Sequence, residues 1–179
     1  MPTVPSFDGL QPASPASSWA KRRTPRRDTK HEIMLRRELW RMGLRYRKHV
    51  DSLPGKPDIV FGKSRVVVFC HGDFWHGRNL RARKQKLRQG HNPVYWTAKI
   101  QANVARDRRH DSDLKSLGWS VVRVWESDVL ADPAAVACDI ARLVTRGAQG
   151  RRGRQTGRRV PRVGRQLNGR SSDGVWSSQ

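Results

Sequence analysis

The stretch from Gly55 to Gly77 constrains this chain most. Gly55-Lys56-Pro57-Asp58-Ile59-Val60-Phe61 and Val66-Val67-Val68-Phe69-Cys70-His71 are two apolar, β-branched runs, and Gly62-Lys63-Ser64-Arg65 separates them. Such a pattern predicts a β-hairpin. Pro57 lacks an N–H for a ladder, so it stands at the start of the first strand and Asp58 sits one residue inside it. Folding the hairpin back brings Phe69-Cys70-His71 beside Asp58. An acid on an apolar strand is expensive to bury unless a cation pairs with it. On the first strand alone, an edge-strand Asp facing solvent is an equal reading. The second strand tips the balance, because it runs into His71, Asp73 and His76 threaded with Phe74 and Trp75. An acid opposite a His/Asp cluster reads as a hydrolytic metal site.

A chain of 179 residues is long enough for one domain with flexible ends, and 36% hydrophobic content leaves part of it without a core. The formal net charge of +22 favours a polyanionic partner, nucleic acid first and an anionic membrane surface second. No apolar run approaches the ~20 residues that span a bilayer, and the N-terminus has no apolar signal core. The expected location is therefore the cytoplasm or nucleoid, with no membrane partner. Two cysteines, Cys70 and Cys138, fit a reducing compartment.

Residues 1–20 read as a disordered arm, 21–146 as the folded domain, and 147–179 as a disordered basic tail rich in Arg, Gly and Ser. Thr29-x-x-Glu32 matches a capping box, Leu35, Leu39 and Met42 follow at helical spacing, and Gly43 ends that helix. Glu32 shares the Leu35/Leu39 stripe; it is either the reciprocal cap or a carboxylate turned toward a site. Leu44 to Val50 is a basic strand or an irregular connector. Pro93 to Leu117 carries Trp96, Ile100, Val104, Asp107, Asp111 and Leu114 at three- and four-residue steps. Asp107 on that stripe is either a buried ion-pair partner or a site residue. Trp119 to Trp125 predicts a buried strand, and Asp132-Pro133 the start of a last helix reaching about Val144. Cys138 inside it reads as a small buried hydrophobe.

Pro57-Asp58, Cys70-His71-Gly72-Asp73-Phe74-Trp75-His76-Gly77, Asn103-Val104-Ala105-Arg106-Asp107-Arg108-Arg109, Gly118-Trp119 and Val124-Trp125-Glu126 occur in this order. Together they resemble the very short patch repair (Vsr-type) DNA mismatch endonucleases, over roughly Arg27 to Val144. The resemblance implies a restriction-endonuclease-like α/β domain with a mixed sheet flanked by helices. It also implies a Mg²⁺-dependent enzyme that nicks one strand of double-stranded DNA at T:G mismatches, alongside mismatch-repair proteins. Carried over residue by residue, Asp58 and the backbone carbonyl of Cys70 hold Mg²⁺ and His76 is the general base. Glu32 would hold His76, and Asp107 would hold His71. Phe74 and Trp75 would wedge into the duplex, the other reading being two core aromatics that close the hairpin. Arg78, Arg106 and Arg108 are the candidate DNA contacts.

Two departures modify that expectation. The best-known relatives of this type carry a structural zinc, but the matching positions here are Asp73, Arg78, Leu80 and Ser127. None is Cys or His, so no zinc is expected; Asp73 either pairs with Arg78 or joins the metal site. The apolar residue that intercalates from the family's N-terminal arm has no match among Lys21 to Arg27, which argues against a two-sided wedge. Two alternatives stand beside the mismatch reading: a restriction-type or structure-specific nuclease on the same fold, and an inactive DNA-binding module.

Overall fold

The computed structural model describes residues 5–6, 9–10, 27–79, 85 and 87–156, with side chains to 150. Nearly all of the expected N-terminal arm, the basic run as far as Arg26, Leu80 and the tail beyond Thr156 lie outside the described residues. The elements are α1 (Lys30–Arg41), β1 (Arg47–Lys48), β2 (Ile59–Phe61), β3 (Val66–His71), α2 (Pro93–Ser116), β4 (Ser120–Trp125), α3 (Glu126–Ala131) and α4 (Pro133–Thr156). The strands form one sheet in the order β1-β2-β3-β4. β1/β2 and β2/β3 are antiparallel, and β3/β4 is parallel.

The hairpin forms where the sequence predicts it, with Phe61 opposite Val66 and Ile59 opposite Val68. Strand alternation then divides the core in two. Ile59, Phe61, Val66 and Val68 join Leu35 and Leu39 of α1, Val129 of α3, and Ala137 and Ile140 of α4 on one face. Val60, Val67 and Phe69 meet Leu114 of α2 on the other. The result is a three-layer α/β/α domain in which the parallel β3/β4 pair is covered on both sides.

Helix α1 ends in a Schellman motif: the Gly43 N–H donates to the Trp40 carbonyl and the Leu44 N–H to the Leu39 carbonyl, both at 3.0 Å. Gly43 takes φ +77°, the left-handed conformation that this motif requires. Leu35 and Leu39 are fully buried, but Met42 is 43% exposed because it falls in the cap rather than on the stripe. Leu44 to Val50 resolves into the two-residue edge strand β1, exposed and basic.

Two expectations change at the last helix. Asp132 is its N-cap, accepting from the Ala135 N–H at 2.9 Å, but α4 runs to Thr156 rather than Val144. Gly147 therefore lies inside the helix instead of opening the tail. A Cβ there would lie 2.6 Å from the Ser64 carbonyl oxygen, so this glycine lets the helix pass closely over the β2/β3 turn. Cys138 is exposed rather than buried, since Ala137 and Ile140 take the inward positions. Among the described residues no helix is long and apolar enough to cross a membrane.

Two glycine substitutions in the same helix test this packing. Gly150 has open space around it, so Gly150→Ala should stabilise the domain by about 0.5–1 kcal/mol through helix propensity. Gly147→Ala should instead destabilise it by about 1–3 kcal/mol through overpacking against backbone. Chemical denaturation of the two variants provides the comparison.

Candidate active site

Asp58 is held at the mouth of the hairpin by its own backbone. Its N–H donates to the Val68 carbonyl at 3.1 Å, and its carbonyl accepts from the His49 N–H at 3.3 Å. Its Oδ2 accepts from the Cys70 N–H at 2.7 Å. The expected juxtaposition of Asp58 with Cys70 is therefore a direct hydrogen bond across the hairpin. Burial pushes the carboxyl up from 3.8 to about 6, although the Cys70 N–H opposes the rise; the Glu32 carboxylate adds to it, and His49 and His31 oppose it. The site thus presents a desolvated carboxylate beside a second acid, without an ion-pair partner among the described residues.

One residue beyond Cys70, strand alternation turns His71 toward the α2 face of the sheet. The loop that follows returns His76 onto it: the two imidazoles stack at 3.7 Å between centroids, 24° apart in plane. His76 Nδ1 lies 2.6 Å from Asp107 Oδ2. Although burial works against it, this hydrogen bond and the His76 charge pull the Asp107 carboxyl below its ordinary value. Arg123 Nη1 donates to His71 Nε2. Burial first, then the neighbouring His76 and Arg123, push the His71 imidazole down to about 3.

These contacts revise the expected pairings. Asp107 holds His76, not His71, and His71 faces a cation rather than a carboxylate. Glu32 is engaged at the start of α1 instead. Its Oε2 accepts from the Asp28 N–H at 3.0 Å, and its Oε1 accepts from the Thr29 hydroxyl at 2.8 Å. The reciprocal capping box does not form: Thr29 makes no side-chain cap bond, and Glu32 takes the Asp28 N–H and the Thr29 hydroxyl instead. Glu32 nevertheless acts on Asp58 through charge.

Phe74 and Trp75 enter a larger aromatic group. Their rings meet edge-on at 5.0 Å, and Trp96 of α2 lies 5.9 Å from Phe74 and 5.7 Å from Trp75. Trp75 is 37% exposed, and its carbonyl accepts from buried Asn103 at 3.0 Å. Arg78 turns toward α3, donating to Ser127 Oγ at 2.7 Å and Asp128 Oδ1 at 2.6 Å, and lies 3.7 Å from Asp73. Asp73 therefore pairs with Arg78. On α2, Arg108 is exposed and Arg106 half-buried.

The sequence reading missed Arg123, Asp111 as its partner, Asn103 and the third aromatic, Trp96. Arg123 had a visible signal: one charge inside the apolar run Val121-Val122-Arg123-Val124. Asp111 was on the helical stripe, but only the fold brings it opposite Arg123.

Among the described residues two groups have ligand atoms close enough to share a cation: His71, His76 and Asp107, and Asp28, Glu32 and His49. Arg123 on His71 disfavours a cation at the first, and Arg36 and Lys48 beside Asp28 disfavour one at the second. Asp58 belongs to neither group; its Oδ2 takes the Cys70 N–H.

A basic α/β/α domain built on a four-stranded mixed sheet, with a buried acid before the hairpin's first strand, is of the restriction-endonuclease-like class. The DNA mismatch endonuclease Vsr family model matches residues 10–82. The type II nicking enzyme V.NmeDIP of Neisseria meningitidis serogroup C is 41% identical over 122 residues, 68% of this chain and 80% of its own. V.HpaIIP, a type II nicking enzyme of Haemophilus parainfluenzae, is 37% identical over 116 residues, 65% of this chain and 81% of its own. The DNA mismatch endonuclease Vsr of Escherichia coli K12 is 43% identical over 100 residues, 56% of this chain and 62% of its own. The chain belongs to the Vsr family and is an endodeoxyribonuclease.

The raised Asp58 carboxyl has a stability signature. The folded state binds this proton more tightly than the unfolded chain, so stability falls as pH rises from 3.8 to about 6, and the penalty is complete above that. Asp58→Asn keeps an acceptor for the Cys70 N–H and removes the charge. In chelator, it should match the parent near pH 4 and be more stable above pH 6, by at most ~3 kcal/mol. Thermal melts across that range check it.

Proposed function

We propose that this chain is a Mg²⁺-dependent endonuclease that nicks one strand of double-stranded DNA at T:G mismatches in very short patch repair. Two contacts support this reading: the Cys70 N–H on Asp58 at 2.7 Å and Asp107 on His76 at 2.6 Å; Cys70 and His71 are consecutive residues at the end of β3. A residue next to Cys70, His71, stacks on His76 and links the two.

Asp58 and the Cys70 carbonyl would hold the ion, which when bound would supply positive charge to the scissile phosphate. Asp107 accepts a hydrogen bond from His76 Nδ1–H, so His76 Nε2 carries the lone pair and takes a proton from the attacking water. The carboxylate orients the ring and stabilises its protonated form. Glu32 acts at one remove: it fixes the start of α1 beside Asp58 and sets the local charge there. Arg106 and Arg108 suit the phosphate backbone.

Mismatch selection is assigned to Phe74 and Trp75, with Trp96 as the platform behind them. Insertion between base pairs costs a few kcal/mol of unstacking, least at a mismatch. The E. coli relative is a mismatch endonuclease by name, which supports this role. A structural zinc is not part of the proposal. Arg78, tied to Ser127, Asp128 and Asp73, cross-links the loop after β3 to α3 at three of the four positions where a zinc would stand.

The nicking relatives favour a second reading, cleavage chosen by sequence rather than by mismatch. Single-turnover nicking on T:G, T:A and C:G duplexes separates the two. The proposal predicts Mg²⁺-dependent nicking of the T:G duplex at least about 10²-fold faster than of matched DNA, with Asp58→Ala and His76→Ala each reducing it by about 10²–10⁴-fold. Equal rates on all duplexes would reject mismatch selection, and full activity of Asp58→Ala would reject the metal assignment.

A further inference from the structure

We propose that Arg123, braced by Asp111, is a positioning residue that fixes which nitrogen of His71 carries its proton, so that His71 Nδ1–H serves as a hydrogen-bond donor to a phosphate oxygen of the substrate.

Arginine has five N–H donors and accepts nothing. Because Arg123 Nη1 donates to His71 Nε2, that nitrogen presents its lone pair, and the imidazole proton resides on Nδ1. The guanidinium is itself immobilised. Its Nε donates to Asp111 Oδ1 at 3.1 Å, and its Nη2 donates to the same oxygen at 2.5 Å and to the Asp107 carbonyl at 2.9 Å. Its Cζ lies 4.6 Å from the Phe69 ring centroid. Asp111 thus balances the charge of Arg123 and orients its fork.

His71 Nδ1 is buried and has no hydrogen-bond partner among the described residues. A buried donor without a partner is costly, and a substrate oxygen at that position would satisfy it. The stacked neighbour has the opposite polarity, since His76 Nδ1 faces the Asp107 carboxylate. One ring of the stack therefore has an acceptor nitrogen to spare and the other a donor. Exchanging the carboxylate and the guanidinium would exchange those roles.

The catalytic part of this inference rests on the proposed nuclease reaction, whereas the proton's location does not. The test uses the full chain with ¹⁵N-labelled histidine, free of DNA and metal. Two-bond ¹H–¹⁵N correlation spectra report each tautomer, and His71→Gln identifies the His71 signals. The parent should show His71 with its proton on Nδ1. Arg123→Lys, which still donates to Nε2, should keep that tautomer and most of the nicking rate. Arg123→Met should lose the single tautomer and lower kcat about tenfold to hundredfold, with KM for DNA little changed. An Nε2–H tautomer in the parent would overturn the assignment. So would Arg123→Met retaining the Nδ1–H tautomer, whatever its rate. If Arg123→Met does not fold, the parent and Arg123→Lys spectra decide alone. A parent that nicks no duplex while His71 holds the Nδ1–H tautomer would count against the proposed reaction, and the spectra would still support the positioning role.

Discussion

The hydrogen bond from the Cys70 N–H to the Asp58 carboxylate is the contact on which the site depends. It exists because Asp58 stands immediately before β2, not inside it as the sequence predicts, and the four-residue turn sets a register that brings Cys70 back to it. A one-residue slip would invert every side chain of β3. It would turn Val66 and Val68 out of the larger core and send His71 to the wrong face. Hydrophobic burial on two faces of the sheet therefore also fixes the position of the chemistry.

From that point the site is assembled by alternation and return. Cys70 packs toward α1, and His71 points toward α2. The loop after β3 folds back so that His76 lies over His71 and reaches Asp107 on α2. Arg78 and Asn103 hold the first part of this loop, one against α3 and the other on the Trp75 carbonyl. The loop is thus pinned to both layers that cover the sheet, which keeps a polar segment in place without a core of its own.

Much of this was legible in the chain because local rules and the final fold agree. The hairpin, the Schellman end of α1, the Asp132 cap and the stripe of α2 are short-range patterns. The partners within the site were not legible. Asp107 sits on a stripe that faces both His71 and His76, and spacing cannot choose between two imidazoles that stack on each other. For Glu32, spacing favours a cap and the family resemblance favours a site role, and only coordinates bring its oxygens to Asp28 and Thr29. Arg123 needs Asp111 to be tolerable in an apolar strand, and that pair depends on how α2 crosses β4. Gly147 looked like the start of a tail because glycine breaks helices on average, while here the need for close approach to Ser64 outweighs propensity.

The central claim is that the divalent ion belongs to Asp58 and the Cys70 carbonyl rather than to either neighbouring group of ligands. Paramagnetic broadening by Mn²⁺, titrated into the ¹⁵N-labelled chain, locates a bound ion directly. The account predicts broadening centred on the amides of Asp58, Cys70 and their strand neighbours, lost in Asp58→Ala. Broadening centred on His76 and Asp107, or on Asp28 and His49, and unaffected by that substitution, would contradict it.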